Sequence, residues 1–154
     1  KLINLISKCV GHTGVAGGQF LDLSYEKKKK NFNKIIDMQR KKTGMLFIFC
    51  CLAPVLLSNK KLYYKRFYEI GSDIGLLFQI SDDLIDYKGN TKKAGKKTKK
   101  DQKMGKATLI GLLGYKNTIN YSLRLKSKIF SQLKNFNKAK DLKETINFVV
   151  TRQK

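Results

Sequence analysis

The stretch Phe78-Gln79-Ile80-Ser81-Asp82-Asp83-Leu84-Ile85-Asp86 constrains this chain more than any other. Lys and Arg number 33 against 11 Asp and Glu, yet three of those acids crowd together here. The preceding residues, from Tyr68 to Phe78, are apolar at helical intervals, which places the acids on a helix. There Asp82 and Asp86 stand four apart and Gln79 three before Asp82, so all three share one face. Asp83 points about 100° away from Asp82. Carboxylates on one face repel each other unless a cation or a cationic partner lies between them. A divalent ion with hard oxygen ligands meets that need, and Mg²⁺ would keep water and bridge to a phosphate. Taken alone, the motif is equally readable as an ordinary solvated acidic face.

The residues beyond the acids favour the metal reading. Gly89 to Gly95 reads as a turn-rich loop leading to Gly95-Lys96, then Asp101, then Gly105-Lys106-Ala107-Thr108. Acidic ligands followed by glycine-flanked lysines suit a diphosphate. The pattern F-Q-x-x-D-D-x-x-D, G-K, D-x-x-x-G-K-x-T resembles the second aspartate-rich region of the trans-isoprenyl diphosphate synthases, the polyprenyl synthetases. Upstream, Gly17-Gly18-Gln19-Phe20-Leu21-Asp22-Leu23 matches the family's G-G-Q-x-x-D-L block, and Lys42-Thr43-Gly44 matches K-T-G. The blocks occur in family order over nearly the whole chain. They are most similar to the bacterial farnesyl and geranylgeranyl diphosphate synthase type.

The resemblance implies an all-α fold, the C-terminal half of the isoprenoid synthase helical bundle, with residues 1–154 as one part of a single domain. It implies a prenyltransferase that condenses an allylic diphosphate with isopentenyl diphosphate to a farnesyl or geranylgeranyl product, with Mg²⁺ as cofactor. By motif, Asp82 is a direct Mg²⁺ ligand, Asp83 and Asp86 hold the ion's waters, Asp101 lies in the outer shell and Asp22 near the cluster. Gln19 faces the active cavity. Lys42 and Lys96 clamp the allylic diphosphate, with Lys106 assisting. Gln79, Thr43 and the Lys42 carbonyl face the carbocation with oxygens that do not trap it.

Two departures from the family pattern stand out. Lys99 occupies a region where relatives often carry glycine, and the first aspartate-rich motif, which precedes G-G-Q in the family, has no counterpart here. The chain is therefore read as a C-terminal half that is inactive alone, and its ending, 148–154, resembles a family terminus. Bulky residues before that first motif set product length in the family, so length is not legible here. Relatives are commonly homodimers. A terpene cyclase also uses aspartate-rich helices, but the K-T-G and G-G-Q blocks argue against one. A catalytically silent partner subunit would tolerate erosion of Asp82, Asp83, Asp86 and Lys96, and these are intact.

A formal net charge of +22 invites a nucleic-acid or membrane-surface reading. The excess is almost all lysine, however, with arginine only at Arg40, Arg66, Arg124 and Arg152. Base readout and bidentate phosphate contacts favour arginine. Lysine spread along every segment is a solvated surface, so no nucleic-acid partner is expected.

Helical spacing in Leu2, Ile3, Leu5, Ile6, Cys9 and Val10 predicts a helix over 1–11. His12 then ends it, and 26–30 is a basic loop. A helix is expected over 32–57, whose apolar run 45–57 is too short to span a bilayer and contains Pro54, so it reads as a buried, late-kinked core helix. Cys50 and Cys51 lie within that run, and the three cysteines offer neither zinc spacing nor a disulfide framework. A reduced, cytoplasmic interior is the expectation. A long helix is expected over 60–87, with Gly71 and Gly75 giving a flat packing face, and a lysine-glycine loop over 88–105. A short helix over 109–113 comes next, then one capped by Asn117, then a last helix opened by an Asp141/Glu144 capping box. No alternating strand pattern and no internal repeat is present.

Overall fold

The computed structural model describes residues 1–26, 28–93 and 107–152, with backbone only at 90–93. Helices α1 (Leu2–Val10) and α2 (Val15–Ser24) open the chain. Helix α3 (Phe32–Gln39) runs through a π-helical segment, Arg40–Gly44, into α4 (Met45–Leu57). A 3₁₀ turn, Lys61–Tyr63, leads to α5 (Tyr64–Lys93), and α6 (Leu109–Leu113), α7 (Tyr115–Gln132) and α8 (Lys140–Thr151) complete the order. No strand occurs among the described residues.

The arrangement of the bundle is set by α5. Every residue from Ile70 to Leu77 is buried. A helix buried on all sides belongs in the middle of a bundle, and α5 packs against α4, α7 and α8, with smaller contacts to α3 and α6. Ile70, Leu76, Leu77 and Ile80 join Leu109, Ile129, Leu133 and Ile146 in a core without solvent access beyond 1%. Glycine makes the α4 side possible. A Cβ at Gly71 would lie 2.7 Å from the Ile48 Cα, and one at Gly75 would lie 2.4 Å from the Gly44 Cα. Both distances are too short for carbon atoms, so only glycine lets α5 lie directly on the backbone of α4 and the π segment.

Local chemistry sets the ends of several helices. The Asn31 side chain accepts from the Lys34 N–H at the start of α3, and Thr108 accepts from the Gly111 N–H at the start of α6. Gly114, at φ +79°, turns α6 directly into α7. Asn117 therefore lies inside α7 instead of capping it, and its amide donates to the Leu113 carbonyl. Helix α8 starts one residue early, at Lys140, behind Ala139, which offers no capping side chain. Asp141 is thus in the first turn and forms no capping box. Helix α5 also runs past the expected end at 87 to Lys93, carrying Gly89 within it.

The apolar run of α4 is not uniformly buried. Ile48, Leu52 and Val55 face the core, whereas Leu46, Cys50 and Leu57 are exposed. Packed against α5 and α1, an all-apolar helix of period 3.6 still cannot turn every side chain inward. Phe20 and Leu23 of α2 are exposed as well. Among the described residues no helix is long and apolar enough to cross a membrane.

Candidate active site

Helix α2 approaches the π segment so closely that a Cβ at Gly18 would fall 2.1 Å from the Lys42 N. One turn further along α2, Asp22 meets the Lys42 side chain, Nζ to Oδ2 at 2.5 Å. The glycine therefore sets the distance at which the two charges pair. The π segment itself carries Lys42 and Thr43. Such widened turns often occur at functional sites, because they re-aim side chains that a regular helix would spread. The segment is tied down by Arg40, which donates to the buried Asp73 of α5 at 2.8 Å. Lys128 of α7 holds the other oxygen of Asp73 at 2.5 Å.

The acidic turn of α5 lies against this segment. Thr43 Oγ1 donates to Gln79 Oε1 at 2.9 Å. Gln79 Nε2 donates to Asp83 Oδ1 at 3.0 Å, and Gln39 Nε2 donates to Asp83 Oδ2, also at 3.0 Å. Burial pushes the Asp83 carboxyl up to about 6 from an ordinary value of 3.8, opposed by the Gln79 hydrogen bond and reinforced by the charges of Asp86 and Asp82. Asp22, Gln39, Lys42, Gln79, Asp83 and Thr108 are among the residues lining one pocket of about 50 Å³ here.

Asp82 points elsewhere. It is ion-paired with Arg152, just past the end of α8, and the same guanidinium lies over the Phe78 ring, 4.4 Å from its centroid. Asp86 is exposed one turn on. A larger cleft of about 360 Å³ opens nearby, lined by Leu84, Ile85, Tyr115, Ile119, Val150 and Arg152 among others. Gln19 is exposed on α2, outside both pockets. Lys96, Asp101 and Lys106 lie outside the described residues.

Five of the expected residues thus converge from three separate stretches of sequence: Asp22, Lys42, Thr43, Gln79 and Asp83. The motifs assign no role to Gln39, Arg40, Asp73, Lys128 or Arg152. Two of these carry a signal of their own. Gln39 sits on the apolar stripe of α3 with Ile35 and Met38, where a buried amide must find a partner. Asp73 is an acid inside an apolar run of an acid-poor chain, which demands a cation.

The donor set suits a hard divalent cation only in part. Asp82 and Asp86 offer carboxylate oxygens a turn apart, and Asp82 already holds a cationic group. Among the described residues, no three acidic, histidine or cysteine side chains converge on one point. These residues fit Mg²⁺ as one side of a site whose remaining ligands are water, diphosphate or other carboxylates.

A bundle of this form, with lysine, hydroxyl, amide and carboxylate groups gathered at the acidic turn of its central helix, defines the isoprenoid-synthase class of proteins. The polyprenyl synthetase family profile matches residues 1–149. The chain is 32% identical over its full length to the farnesyl diphosphate synthase of Micrococcus luteus. It is 33% identical over 99% of its length to the geranylgeranyl diphosphate synthase of Cyanophora paradoxa. A crystal structure of an FPP/GFPP synthase from Zymomonas mobilis superposes with a TM-score of 0.82 at 31% identity, over 97% of this chain and 50% of that one. This chain belongs to the polyprenyl synthetase family. It spans about half the length of the relatives it matches, 54% and 52% of the two synthases above.

Proposed function

We propose that residues 1–154 form the C-terminal part of a short-chain trans-prenyltransferase that joins an allylic diphosphate to isopentenyl diphosphate. The observation that carries the reading is the meeting of Asp22, Lys42, Gln79 and Asp83 at one pocket, with Thr43 hydrogen-bonded to Gln79 behind it, from blocks as far apart as α2 and α5. The relatives are farnesyl and geranylgeranyl diphosphate synthases by name.

In this reading the allylic C–O bond breaks and its electron pair leaves with the diphosphate. The isopentenyl double bond then forms the new C–C bond, and the proton lost from the resulting cation goes to the departing diphosphate. Bound at Asp82, with Asp83 and Asp86 holding its waters, Mg²⁺ would supply charge neutralisation for the leaving group. The Lys42 ammonium, paired with Asp22 at the pocket wall, would bind the diphosphate. Gln79 and Thr43 offer oxygens to the cation, groups that stabilise charge without forming a lasting bond. The exposed apolar side chains of α4 suit a prenyl tail.

Turnover of an allylic diphosphate with labelled isopentenyl diphosphate tests this, using the full polypeptide encoded around residues 1–154. Asp82→Ala is expected to lower turnover by a factor on the order of a hundred or more, the loss of one metal ligand. Near-normal turnover in that variant removes the metal role. Residues 1–154 alone should give no product, since the first aspartate-rich motif is not among them, and product from them would refute the half-site reading. The coding sequence upstream of Lys1 is the first thing to read: a second aspartate-rich helix there supports the assignment. The homodimer implied by the resemblance belongs to the same proposal and is checked by sedimentation of the full polypeptide.

A further inference from the structure

Asp83 is the centre of a directed hydrogen-bond chain. An ionised carboxylate only accepts, so both amides that touch it must turn their nitrogen inward. Gln39 and Gln79 do so, each at 3.0 Å, on different oxygens of the same carboxylate. Once its nitrogen is committed, Gln79 must aim Oε1 the other way, and there it accepts the Thr43 hydroxyl proton at 2.9 Å. A hydroxyl has one proton and two lone pairs. With its proton spent on Gln79, Thr43 can present only acceptor lone pairs to anything else nearby.

Gln39 completes the other side. It is 3% exposed, and its Oε1 is buried without a hydrogen-bond partner among the described residues. An unsatisfied buried carbonyl normally costs stability and is kept where something else needs it. Here the cost accompanies an amide whose nitrogen is fixed on Asp83 and whose oxygen meets no donor among the described residues, in a residue lining the pocket. All three oxygens, Gln39 Oε1, Gln79 Oε1 and Thr43 Oγ1, are thus turned away from Asp83 as acceptors.

We propose that Asp83 and Gln39 are positioning residues that lock the Gln79–Thr43 chain with its oxygens outward, giving the site a fixed preference for a cationic centre beside a bound diphosphate. This inference rests on the prenyl-transfer reading. It assigns Asp83 a polarity-setting role distinct from holding a metal's waters. Replacing Asp83 by Asn would let one of the two glutamines flip. If Gln79 flips, its nitrogen donates to Thr43, the hydroxyl proton turns outward, and the site presents a donor where a cation needs an acceptor. Such fixed dipoles act without reorganising during reaction, so their direction matters more than their number.

The test compares two probes on the full polypeptide at saturating Mg²⁺, by calorimetry. One is an allylic diphosphate analogue with a trialkylammonium nitrogen at the reacting carbon, and the other is its neutral carbon isostere. The native protein should bind the ammonium analogue more tightly, by a factor on the order of ten. Asp83→Asn should bring that ratio close to one, whatever loss of diphosphate affinity the two analogues share. Adding Gln79→Glu to Asp83→Asn puts a carboxylate at position 79, where it accepts from both the new amide and Thr43, and should restore most of the ratio. Gln39→Leu, which keeps Asp83 and removes one clamp, should reduce the ratio partway and serves where Asp83→Asn fails to fold. A ratio unchanged in both single variants overturns the proposal. So does an Asp83→Asn that weakens both analogues equally, the result expected of a metal-holding residue alone. If the native protein binds neither analogue, the prenyl-transfer reading itself falls.

Discussion

Asp73 and Asp83 stand on the same helix, both withdrawn from water, yet they are treated differently by their surroundings. Asp73, 1% exposed, receives two cations, Arg40 from the π segment and Lys128 from α7. Its charge is matched, and in being matched it ties three elements together. Asp83 receives amides. Among the described residues its partners are Gln39 and Gln79, with Asp82 and Asp86 adding repulsion. One carboxylate is neutralised to anchor a turn, and the other is left under-compensated beside a pocket. If the proposed reading holds, a protein that needs a cation from outside cannot satisfy all its acids internally, and the difference would separate scaffold from site on a single helix.

The largest effect should come from the anchor. Asp73→Ala leaves Arg40 facing the core with a buried Nε that already lacks a partner among the described residues. Breaking a buried pair can cost about 3–5 kcal/mol. The Arg40 and Lys128 side chains, however, are 40% and 53% exposed and can rehydrate. A loss of about 3 kcal/mol in urea unfolding is expected. A loss below about 1 kcal/mol would mean that packing alone, through Gly71 and Gly75, holds the π segment on α5.

Asp83 should respond with the opposite sign and depend on pH. Its folded-state value, about 6, lies above the ordinary 3.8. The folded chain therefore binds this proton more tightly than the unfolded chain does. The resulting stabilisation is fully present below about pH 4 and is lost as pH rises through about 6, where the ionised carboxylate costs on the order of 2 kcal/mol. In chelating buffer, native stability relative to Asp83→Asn should thus fall by about 2 kcal/mol between about pH 4 and about pH 7. Taking the difference cancels the titration of the acids that do not interact with Asp83. A difference that stays flat across this range would place Asp83 in ordinary solvent and erase its contrast with Asp73.

The fold class and the residues that gather at the candidate site are legible in the sequence because both depend on local pattern. Helical periodicity locates α1 and the start of α3 to within a residue and finds α5 without its last six residues, and Gly71 and Gly75 mark the face on which α5 meets α4. The blocks containing Asp22, Lys42, Thr43, Gln79 and Asp83 stand out as motifs. Contacts made across the bundle do not. Nothing between Arg40 and Lys128 in sequence says that they share Asp73, since pairing over such distances depends on how α5 and α7 cross. The π turn is hidden for a similar reason. Residues 32–57 have one continuous helical pattern, and the widened turn is accommodated by Gly44 against Gly75, which is a tertiary fit. Cys50 is exposed where the pattern predicts burial, because an unbroken apolar run does not say which side faces neighbours.

The smallest effect on stability should come from Arg152, and it carries the comparison to the third acid of the helix. Arg152 pairs with Asp82 as Arg40 pairs with Asp73, but in a different setting: the Asp82 side chain is 36% exposed and Arg152 itself 22%. Water screens such a pair, so Arg152→Ala should cost about 1 kcal/mol or less, part of it from the contact with Phe78. Its larger consequence should be seen in binding. If Asp82 is a site acid, satisfied by a guanidinium until a metal arrives, then removing that guanidinium frees a carboxylate and should tighten Mg²⁺ binding measured by calorimetry. If Asp82 is a second anchor like Asp73, the same substitution should leave Mg²⁺ affinity unchanged and show only in the unfolding midpoint. Arg152 is the residue at which scaffold and site can be told apart by which of the two measurements moves.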